Sequence, residues 1–378
     1  MKILHVVTGL AIGGAERALY NLLAGGLTKR FDTAVVSLRD EGTMGPLITA
    51  LGVSVYAMKM CSCVSGATAI GGLHRIVRSF RPDLIQGWMY HGNLAASGVA
   101  WMGSKRPVVV WNIRHCFYDL KAEKPLTRQV IRGNRFFSGH ADTVIYNSRL
   151  AKTQHEAFGF ASDQSLILPN GFDVARLRPE PEIGLSVRKE LDIPEDAVVV
   201  GHVARFHPMK DHISFLQAAV QVARRIPVSR FLLVGRDVSL ENPALINIVP
   251  LEFRDRFFFT GERSDVHRLM QAMDVLCSSS WSEAFPNVLG EAMACGVPCV
   301  ATSVGDCSDI IGDTGIVVPP SDSEILAQGL LAMLEKDGAE RRALGRAARE
   351  RVKIRYSLRT VVGEYISLYE RLHPKGKR

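Results

Sequence analysis

The 378-residue chain lacks several features that would each point to a particular class of protein. No apolar run approaches the ~18 residues that a membrane-spanning helix needs. The opening segment MKILHVVTGL is too short and too strand-like for a signal peptide, so we expect a cytoplasmic protein. Aspartates never stand two apart as in a D-x-D metal clamp, and histidines and carboxylates do not cluster at zinc spacings. We therefore expect no bound metal and no cofactor.

The cysteines of the sequence show no spacing typical of disulfides or of a metal site. The count is odd and no C-x-x-C pair occurs. Most cysteines stand in apolar segments such as MACGVPCVA, where cysteine is usually a small buried hydrophobic residue. We therefore predict reduced core thiols at Cys61, Cys63, Cys116, Cys277, Cys295, Cys299 and Cys307.

Two ligand-binding signatures are absent as well. The chain has no G-x-G-x-x-G fingerprint, and after VVSLRDEG an arginine stands where a dinucleotide fold places its ribose-binding acid, which disfavours an NAD-dependent oxidoreductase. No helix-turn-helix or RNP-like pattern is present, so we expect no nucleic-acid partner.

The chain does contain short β-branched runs that alternate with helical periodicity, a pattern typical of parallel α/β sheets. The first half has KILHVVT, DTAVVSL, VSVYAM, DLIQGW, PVVVWNI, DTVIYN and SLILP, and the second has AVVVGHVA, RFLLVG, RFFFTG, DVLCSS, PCVAT and GIVVPP. The Pro- and Gly-rich segment 169–184 separates the two sets, which indicates a connector with a hinge near Asp173. We predict two doubly wound domains, 1–174 and 175–378.

The net charge of +8 belongs entirely to the first half of the chain. Residues 1–175 contain 19 Lys and Arg against 11 Asp and Glu, whereas residues 176–378 contain 27 of each. The segment DLKAEKPLTRQVIRGNRFF, residues 119–137, mixes this excess with Phe136 and Phe137. Its composition suits an anionic membrane surface, and equally the solvated face of a packed helix.

Three loops are candidates for binding an anionic ligand. Gly13 and Gly14 stand between the first strand and the first helix, where backbone N–H groups favour a phosphate, although a purely structural turn has the same pattern. Arg205 and Lys210 follow the first strand of the second half and suit a diphosphate. Taken alone they are equally two solvated charges, but ligands of open α/β sheets lie beyond the carboxyl ends of strands.

The third candidate is SEAFPNVLGEA, residues 282–292. We predict a helix from Pro286 or Asn287 to about Cys295, which places Glu283 before the helix and Glu291 within it. Carboxylates accept hydrogen bonds from sugar hydroxyls, and a helix start attracts phosphate, so a nucleotide-sugar fits both. A dipole-favoured acid followed by a chance buried glutamate would have the same spacing.

The stretch from Glu283 to Glu291 resembles the E-x7-E motif of retaining glycosyltransferases with the GT-B fold, specifically family 4. The resemblance continues through GGAER (13–17), NSRLAK (147–152), PNGFD (169–173), VARFHPMKDH (203–212), LLVG (232–235) and FTGERSDV (259–266). It implies two Rossmann-like domains facing each other across a cleft, with the acceptor on the first and the donor on the second. It also implies a last helix that packs back on the N-terminal domain.

The resemblance assigns roles to residues in both halves. Glu283, His115, Arg205 and Lys210 would serve catalysis, and His91, which follows the strand DLIQGW, would face the acceptor. The donor would be held by Gly13, Gly14, Arg205, Lys210, Glu283, Phe285, Asn287, Val288, Leu289 and Glu291. One departure is MKDH, where many members have Lys-Gly, but Lys210 itself is kept.

The implied activity is metal-independent, anomer-retaining transfer of a sugar from a UDP- or GDP-linked donor to a glycan or lipid-linked acceptor in bacterial surface polysaccharide synthesis. The departing diphosphate would help to accept the acceptor's proton. Two alternatives stay open: an epimerase acting on the same donor, and a non-catalytic nucleotide-sugar-binding protein. The basic first half adds an expected partner, the anionic inner surface of the membrane, with the protein peripheral to it.

Overall fold

The computed structural model describes residues 1–60, 63–102, 106–117, 120 and 124–373. The chain separates into two compact units: Met1–Gly171 together with the chain from Leu358 onward, and Phe172–Ser357. The sequence places the boundary after residue 174, and the family resemblance implies that the last helix packs back on the first domain. In the structure the boundary follows Gly171, and the last helix belongs to the first unit.

The first unit is built on a seven-stranded parallel sheet with the order β3-β2-β1-β4-β5-β6-β7. Every residue of its fourth strand is buried, as expected for a parallel sheet covered on both faces. All seven strands predicted for this half are confirmed. They are β1 Lys2–Val7, β2 Asp32–Ser37, β3 Ser54–Ala57, β4 Leu84–Trp88, β5 Val108–Ile113, β6 Thr143–Tyr146 and β7 Ser165–Ile167.

The helices of this unit connect successive strands. The first continues into a π-helical turn, Leu23–Leu27, in which Gly26 has a φ of 118° that a residue without a Cβ adopts easily. A 3-10 turn, Ser138–His140, follows the sixth helix. The helices are α1 Gly14–Leu22, α2 Thr28–Arg30, α3 Met44–Thr49, α4 Cys63–Phe80, α5 Met89–Trp101, α6 Pro125–Phe137 and α7 Arg149–Phe158.

The second unit contains a six-stranded parallel sheet with the order β10-β9-β8-β11-β12-β13, and its six predicted strands are confirmed. The strands are β8 Val198–Val203, β9 Ser229–Val234, β10 Phe257–Phe259, β11 Val275–Ser278, β12 Cys299–Thr302 and β13 Ile316–Val318. The helices are α8 Pro181–Glu190, α9 His212–Arg225, α10 Pro243–Ile246, α11 Val266–Met270, α12 Asn287–Ala294, α13 Cys307–Ile311, α14 Ser323–Leu334 and α15 Gly338–Arg355, with 3-10 turns at Pro208–Lys210 and Leu251–Arg256.

Each sheet contains a point at which the strand order reverses. In the first unit this point lies between β1 and β4, and in the second between β8 and β11. Ligands of open α/β sheets bind outside the carboxyl ends of the strands at such points. A ligand site is therefore expected at the loops that follow these four strands.

The last helix, α16 Leu358–Leu372, completes the core of the first unit. Its buried Tyr365 hydroxyl accepts a hydrogen bond from Asn112 Nδ2 at 2.8 Å, and Tyr369 donates to the side-chain oxygen of Gln86. Asn112 and Gln86 are themselves fully buried on sheet strands. The helix thus supplies hydroxyls to amides that would otherwise be buried without partners, which is costly.

Five cysteines have described side chains, and all five are free and buried, which confirms the thiol prediction for them; they are Cys116, Cys277, Cys295, Cys299 and Cys307. The side chains of Cys61 and Cys63 lie outside the described residues. In the described part of the chain, no helix combines the length and the apolar character needed to cross a membrane.

Candidate functional site

The loop after β8 forms a fixed turn that presents Lys210. Residues Pro208–Lys210 make one 3-10 turn, in which His207 Nδ1 accepts a hydrogen bond from Met209 N at 3.3 Å. Asp211 follows in the left-handed conformation, with φ 48°, and caps α9 by accepting from Ser214 N and Ser214 Oγ at 3.2 and 2.8 Å. The turn and the cap together fix the backbone on both sides of Lys210.

The loop after β11 holds this turn in place. Trp281 donates from its backbone N–H and its indole N–H to carbonyl oxygens of the 208–210 turn, at 3.0 and 2.9 Å. Ser279 Oγ lies 2.9 Å from the carbonyl oxygen of Lys210 and 3.0 Å from that of Asp211. The two loops at the reversal of strand order are therefore joined by several hydrogen bonds.

Two buried histidines, His202 and His212, pack beside these two loops. His202 Nε2 lies 3.1 Å from Ser279 Oγ, and the His202 and His212 rings are 4.6 Å apart. Burial lowers the pKa of His202 well below its ordinary value, and it lowers the pKa of His212 to about 4, with the positive charge of Lys210 adding to both effects. Both rings are therefore neutral near pH 7 and act as packing groups, not as acids or bases.

Lys210 and Glu283 form an ion pair at the junction of the loops. Glu283 Oε1 accepts a hydrogen bond from the Lys210 ammonium and a second one from Ser280 Oγ, the latter at 2.8 Å. The Lys210 and Glu283 side chains are only 27% and 13% exposed. Thr302 Oγ1 donates to the carbonyl oxygen of Ser280 and fixes that residue in turn. A pair this far removed from water is strongly perturbed when one partner is lost.

The backbone at Glu283 depends on a glycine from the loop after β12. Gly305 has a φ of 53°, and a Cβ built on it would lie 2.4 Å from the carbonyl oxygen of Glu283. The neighbouring Asp306 N–H donates to Ala284 O at 3.1 Å. Only a residue without a side chain permits this close approach in this conformation.

Helix α12 begins directly after Glu283 and its neighbours, as predicted, but Pro286 is its N-cap and not part of its first turn. Proline has no side-chain group that could cap this end, and the first N–H groups of a helix lack intrahelical acceptors. Phe285 and Leu289 are buried in the core, whereas Asn287 and Val288 are half-buried. The Phe285 and Leu289 side chains thus anchor the helix start, and the donor contacts expected of these four residues stay predictions.

Glu291 lies in the middle of α12 and is half-buried. Its negative charge adds to burial in raising the pKa of the Cys295 thiol to about 12. Arg205, which directly follows β8 and Ala204, is exposed, and within the described residues its guanidinium forms no ion pair. The structure therefore brings Lys210 and Glu283 into contact, with Arg205 on the same loop as Lys210.

The corresponding loop of the first unit contains Gly13 and Gly14. Gly13 caps α1 in an extended conformation, and a Cβ there would lie 2.3 Å from Glu16 Oε2. The glycine thus leaves room for the Glu16 carboxyl, whose pKa is raised by burial. Glu16 faces a small cavity lined also by Val7, Thr8, Ala15, Leu19, Trp88 and Met89. The role of the two glycines stays a prediction, and Glu16 is a group that the sequence analysis missed.

The two candidate histidines of the first unit lie after neighbouring strands. His91 is not at a strand end, because β4 ends at Trp88 and His91 belongs to the first turn of α5. Its pKa is lowered by burial and by the nearby charge of Arg39. His115 follows β5, with its ring edge-on to Tyr90 at 6.5 Å. The roles of His91 and His115 stay predictions.

Other side chains at the second unit's loops were also missed. Ser279, Ser280 and Trp281 belong to the run SSSWS, in which the sequence shows small residues but not their partners. In the described ranges, no three His, Cys, Asp or Glu side chains lie close enough together to hold a metal ion.

The chain matches two family models over most of its length. The model described as Glycosyltransferase Family 4 matches residues 12–176, and the model described as Glycosyl transferases group 1 matches residues 197–336. The second match contains Arg205, Lys210, Glu283 and Glu291, and the first contains Gly13, Gly14 and both candidate histidines.

Individual relatives are more distant. N-acetyl-alpha-D-glucosaminyl L-malate synthase of Bacillus anthracis is 31% identical over 48% of this chain and 48% of its own length, so the chain spans about half of that relative. A D-inositol 3-phosphate glycosyltransferase of Saccharomonospora viridis is 28% identical over 74% of this chain and 69% of its own length.

Among solved structures, HepE of Anabaena in complex with UDP covers 98% of this chain and all of its own, with a TM-score of 0.85 and 22% identity. The same protein has also been solved with UDP-glucose. A likeness at this identity shows the fold. Together with the two family models, it shows that this chain belongs to the group 1 glycosyltransferases of family 4, with the GT-B fold.

Proposed function

We propose that the protein is an anomer-retaining, metal-independent glycosyltransferase whose second unit binds a nucleotide-sugar donor. The observation that carries the proposal is the contact of Lys210, Glu283 and Ser280 where the strand order reverses. A cation and a carboxylate are held together there, next to an uncapped helix start. Family membership and the UDP-glucose complex of HepE support a nucleotide-sugar as the ligand.

Each group suits one part of such a donor. Arg205 is exposed on the same loop as Lys210, and a guanidinium binds phosphate oxygens in a two-pronged geometry that a lysine cannot provide. The N–H groups at the start of α12 add partial positive charge for the same diphosphate. Glu291 lies further along the helix, where a carboxylate can accept from the ribose hydroxyls.

Glu283 is the group that we assign to the transferred sugar. A carboxylate has about four acceptor directions, and Lys210 and Ser280 hold the Glu283 carboxylate in place through its Oε1. A carboxylate held in this way loses little freedom when a sugar hydroxyl donates to it. Lys210 therefore has two roles: it orients Glu283 before the donor binds and stabilises the diphosphate as it leaves.

The chemical step that we propose needs no protein base at these loops. We assign the acceptor's proton to the leaving diphosphate, whose bond to the anomeric carbon breaks as the new glycosidic bond forms on the same face. Burial makes His202 and His212 weak proton acceptors. Lys210, Arg205 and the start of α12 stabilise the developing negative charge. The acceptor is a glycan or a lipid-linked sugar of a surface polysaccharide, and His115 and His91 are the proposed contacts of the first unit.

The decisive experiment combines a donor panel with substitution of Glu283. The intact protein is incubated with UDP- and GDP-linked hexoses and N-acetylhexosamines, without acceptor, and slow release of the nucleotide diphosphate is measured. We expect one donor to be hydrolysed, and Glu283→Gln to lower that rate by about 10²–10³-fold. The unfolding midpoint of the variant is expected to fall modestly, because glutamine can still accept from Ser280 but leaves the Lys210 ammonium without its carboxylate.

The same panel separates the alternatives. Conversion of a donor to its epimer without release of the diphosphate would identify an epimerase. Saturable binding with no turnover of any donor, measured by calorimetry, would identify a non-catalytic binding protein. An unchanged hydrolysis rate in Glu283→Gln would remove Glu283 from the reaction.

A further inference from the structure

The first unit has an exposed surface in which aromatic and basic side chains meet, formed by the end of α5 and one side of α6. Its large apolar side chains are unusually exposed: Phe136 is 74% and Leu126 58% accessible, and Trp101, Met102 and Phe137 range from 41% to 52%. We call this surface the aromatic–basic face. Its members are Trp101, Met102, Leu126, Arg132, Phe136 and Phe137.

The packing of α6 explains why these side chains point outward. The helix is attached to the unit by its buried Ile131 and by Asn134, whose Nδ2 donates to the carbonyl oxygen of Tyr90 at 3.0 Å. At about 100° per residue, Leu126, Arg132 and Phe136 fall on the side of α6 away from Ile131. Ile131 therefore faces the core of the unit, whereas Leu126, Arg132 and Phe136 face solvent. The composition of the segment alone does not show which of its side chains are buried.

Trp101 at the end of α5 contacts aromatic rings at and just after the end of α6. The Trp101 ring is 5.7 Å from Phe137 and 5.2 Å from His140. These exposed side chains do not contribute to the packing of the unit's core. Large exposed apolar patches generally mark sites where another molecule binds.

Basic side chains outnumber acidic ones in the segments that form the aromatic–basic face. Residues 124–140 include Lys124, Arg128, Arg132 and Arg135 and no Asp or Glu. Residues 84–118, which include α5, contain no Asp or Glu either. Among the described residues that border the patch, Asp142 is the acid that approaches a base, at 3.8 Å from Arg106. The surface therefore complements a flat anionic partner that also accepts aromatic side chains.

We propose that the aromatic–basic face binds an anionic phospholipid surface. Tryptophan and phenylalanine prefer the boundary between headgroups and acyl chains, while arginine binds the lipid phosphates. The surface needs no membrane-crossing helix for this purpose. The inference does not rest on the proposed transfer reaction, because lipid binding requires neither a donor nor an acceptor.

The test is flotation of the full chain with vesicles of phosphatidylcholine alone and of phosphatidylcholine with phosphatidylglycerol. We expect binding only to the anionic vesicles and weaker binding as salt is raised. Arg132→Gln is expected to weaken the partition about fivefold. Phe136→Ser with Phe137→Ser is expected to weaken it by at least about tenfold.

Matched controls come from the second unit. Leu251 is 77% exposed and Arg346 is exposed on α15, so Leu251→Ser and Arg346→Gln make the same chemical changes elsewhere. They are expected to leave vesicle binding unchanged. Absence of binding to anionic vesicles, or equal losses in the controls, would overturn the proposal. So would a concentration-dependent dimer that the Phe136 and Phe137 changes abolish, because the face would then bind a second copy of this chain.

Discussion

The two units share a topology but differ in chemistry at the point where the strand order reverses. In the second unit the loops there are polar and are tied together through Ser279, Trp281 and the pair of Lys210 and Glu283. In the first unit the corresponding loops enclose a mainly apolar cavity with one partly buried acid, Glu16. The same arrangement of strands therefore supports a charged, pre-ordered site in one unit and an apolar wall in the other.

The difference extends to how each unit satisfies its buried polar groups. The second unit uses its buried hydroxyls and histidines directly beneath the candidate site, as Ser279 and His202 show. In the first unit, Gln86 Oε1 and Asn112 Nδ2 find their partners in the tyrosines of α16, which is remote in sequence. Polar burial thus positions functional groups in the second unit, whereas in the first it attaches a terminal helix to the sheet.

The largest expected effect tests whether the ion pair of the second unit is functional or only structural. In Lys210→Met we expect transfer to fall about 10²–10³-fold, because a cation beside the diphosphate is lost. We also expect stability to fall by about 1–3 kcal/mol, because Glu283 is left without its cation in a mostly buried position. Donor hydrolysis and urea unfolding measure the two effects.

The double variant Lys210→Met with Glu283→Gln separates these effects. It no longer has an unpaired carboxylate, so stability should return towards that of the wild type while activity stays low. A double variant that regained activity would mean that the pair is only a structural contact, and the contrast between the two units would then be one of packing alone.

A smaller effect is expected at Ser280, whose hydroxyl donates to Glu283 Oε1 at 2.8 Å. Ser280→Ala should lower kcat/KM about tenfold, the value of one such hydrogen bond. Ser282→Ala is the matched control, because the Ser282 hydroxyl is buried in the same loop and has no hydrogen-bond partner among the described residues. Equal losses in both variants would show that the loop tolerates no change, and would remove the positioning role from Ser280.

Much of this comparison could be predicted from the sequence, because its signals were local. Runs of β-branched residues between turns predicted the strands of both sheets. Pro286 and Gly296 predicted the two ends of α12 to within one residue. The E-x7-E spacing led to Glu283 and Glu291. Periodicity and turn residues act over a few positions, and those are the signals that a single sequence contains.

The rest depended on contacts between residues far apart in the chain. Nothing local to Ser280 shows that it donates to Glu283 while Thr302 holds it from another strand. Likewise, Glu16 is an ordinary acid at a helix start until the cavity at Trp88 surrounds it. The domain boundary was placed at 174 because the Pro- and Gly-rich segment is visible there, whereas the structure divides the chain after Gly171. The return of the last helix to the first unit was implied by the family resemblance and not by any local signal.

The smallest expected effect concerns a buried histidine of the first unit and sharpens the contrast with the second. His155 is fully buried, with Nδ1 2.7 Å from Ala151 O and Nε2 2.8 Å from the Tyr90 hydroxyl. Burial is the main cause that lowers its pKa to about 4, and the neighbouring His115 lowers it further. The ring is thus neutral in the folded protein at pH 5, where the unfolded chain, with a pKa near 6.5, binds a proton.

The sign of the pH effect follows from these two pKa values. Because the folded pKa is the lower one, the contribution of His155 is constant above about pH 6.5 and stability is lost as the pH falls from there to about 4. The loss is about 1.4 kcal/mol per pH unit for this one group.

His155→Gln should reduce the slope of stability against pH, measured by urea unfolding between pH 7 and pH 5. Tyr90→Phe removes only the hydroxyl contact, so it should lower stability at every pH and keep the slope. If His155→Gln left the slope unchanged, the other buried histidines, His5 of the first unit and His202 and His212 of the second, would account for the acid sensitivity.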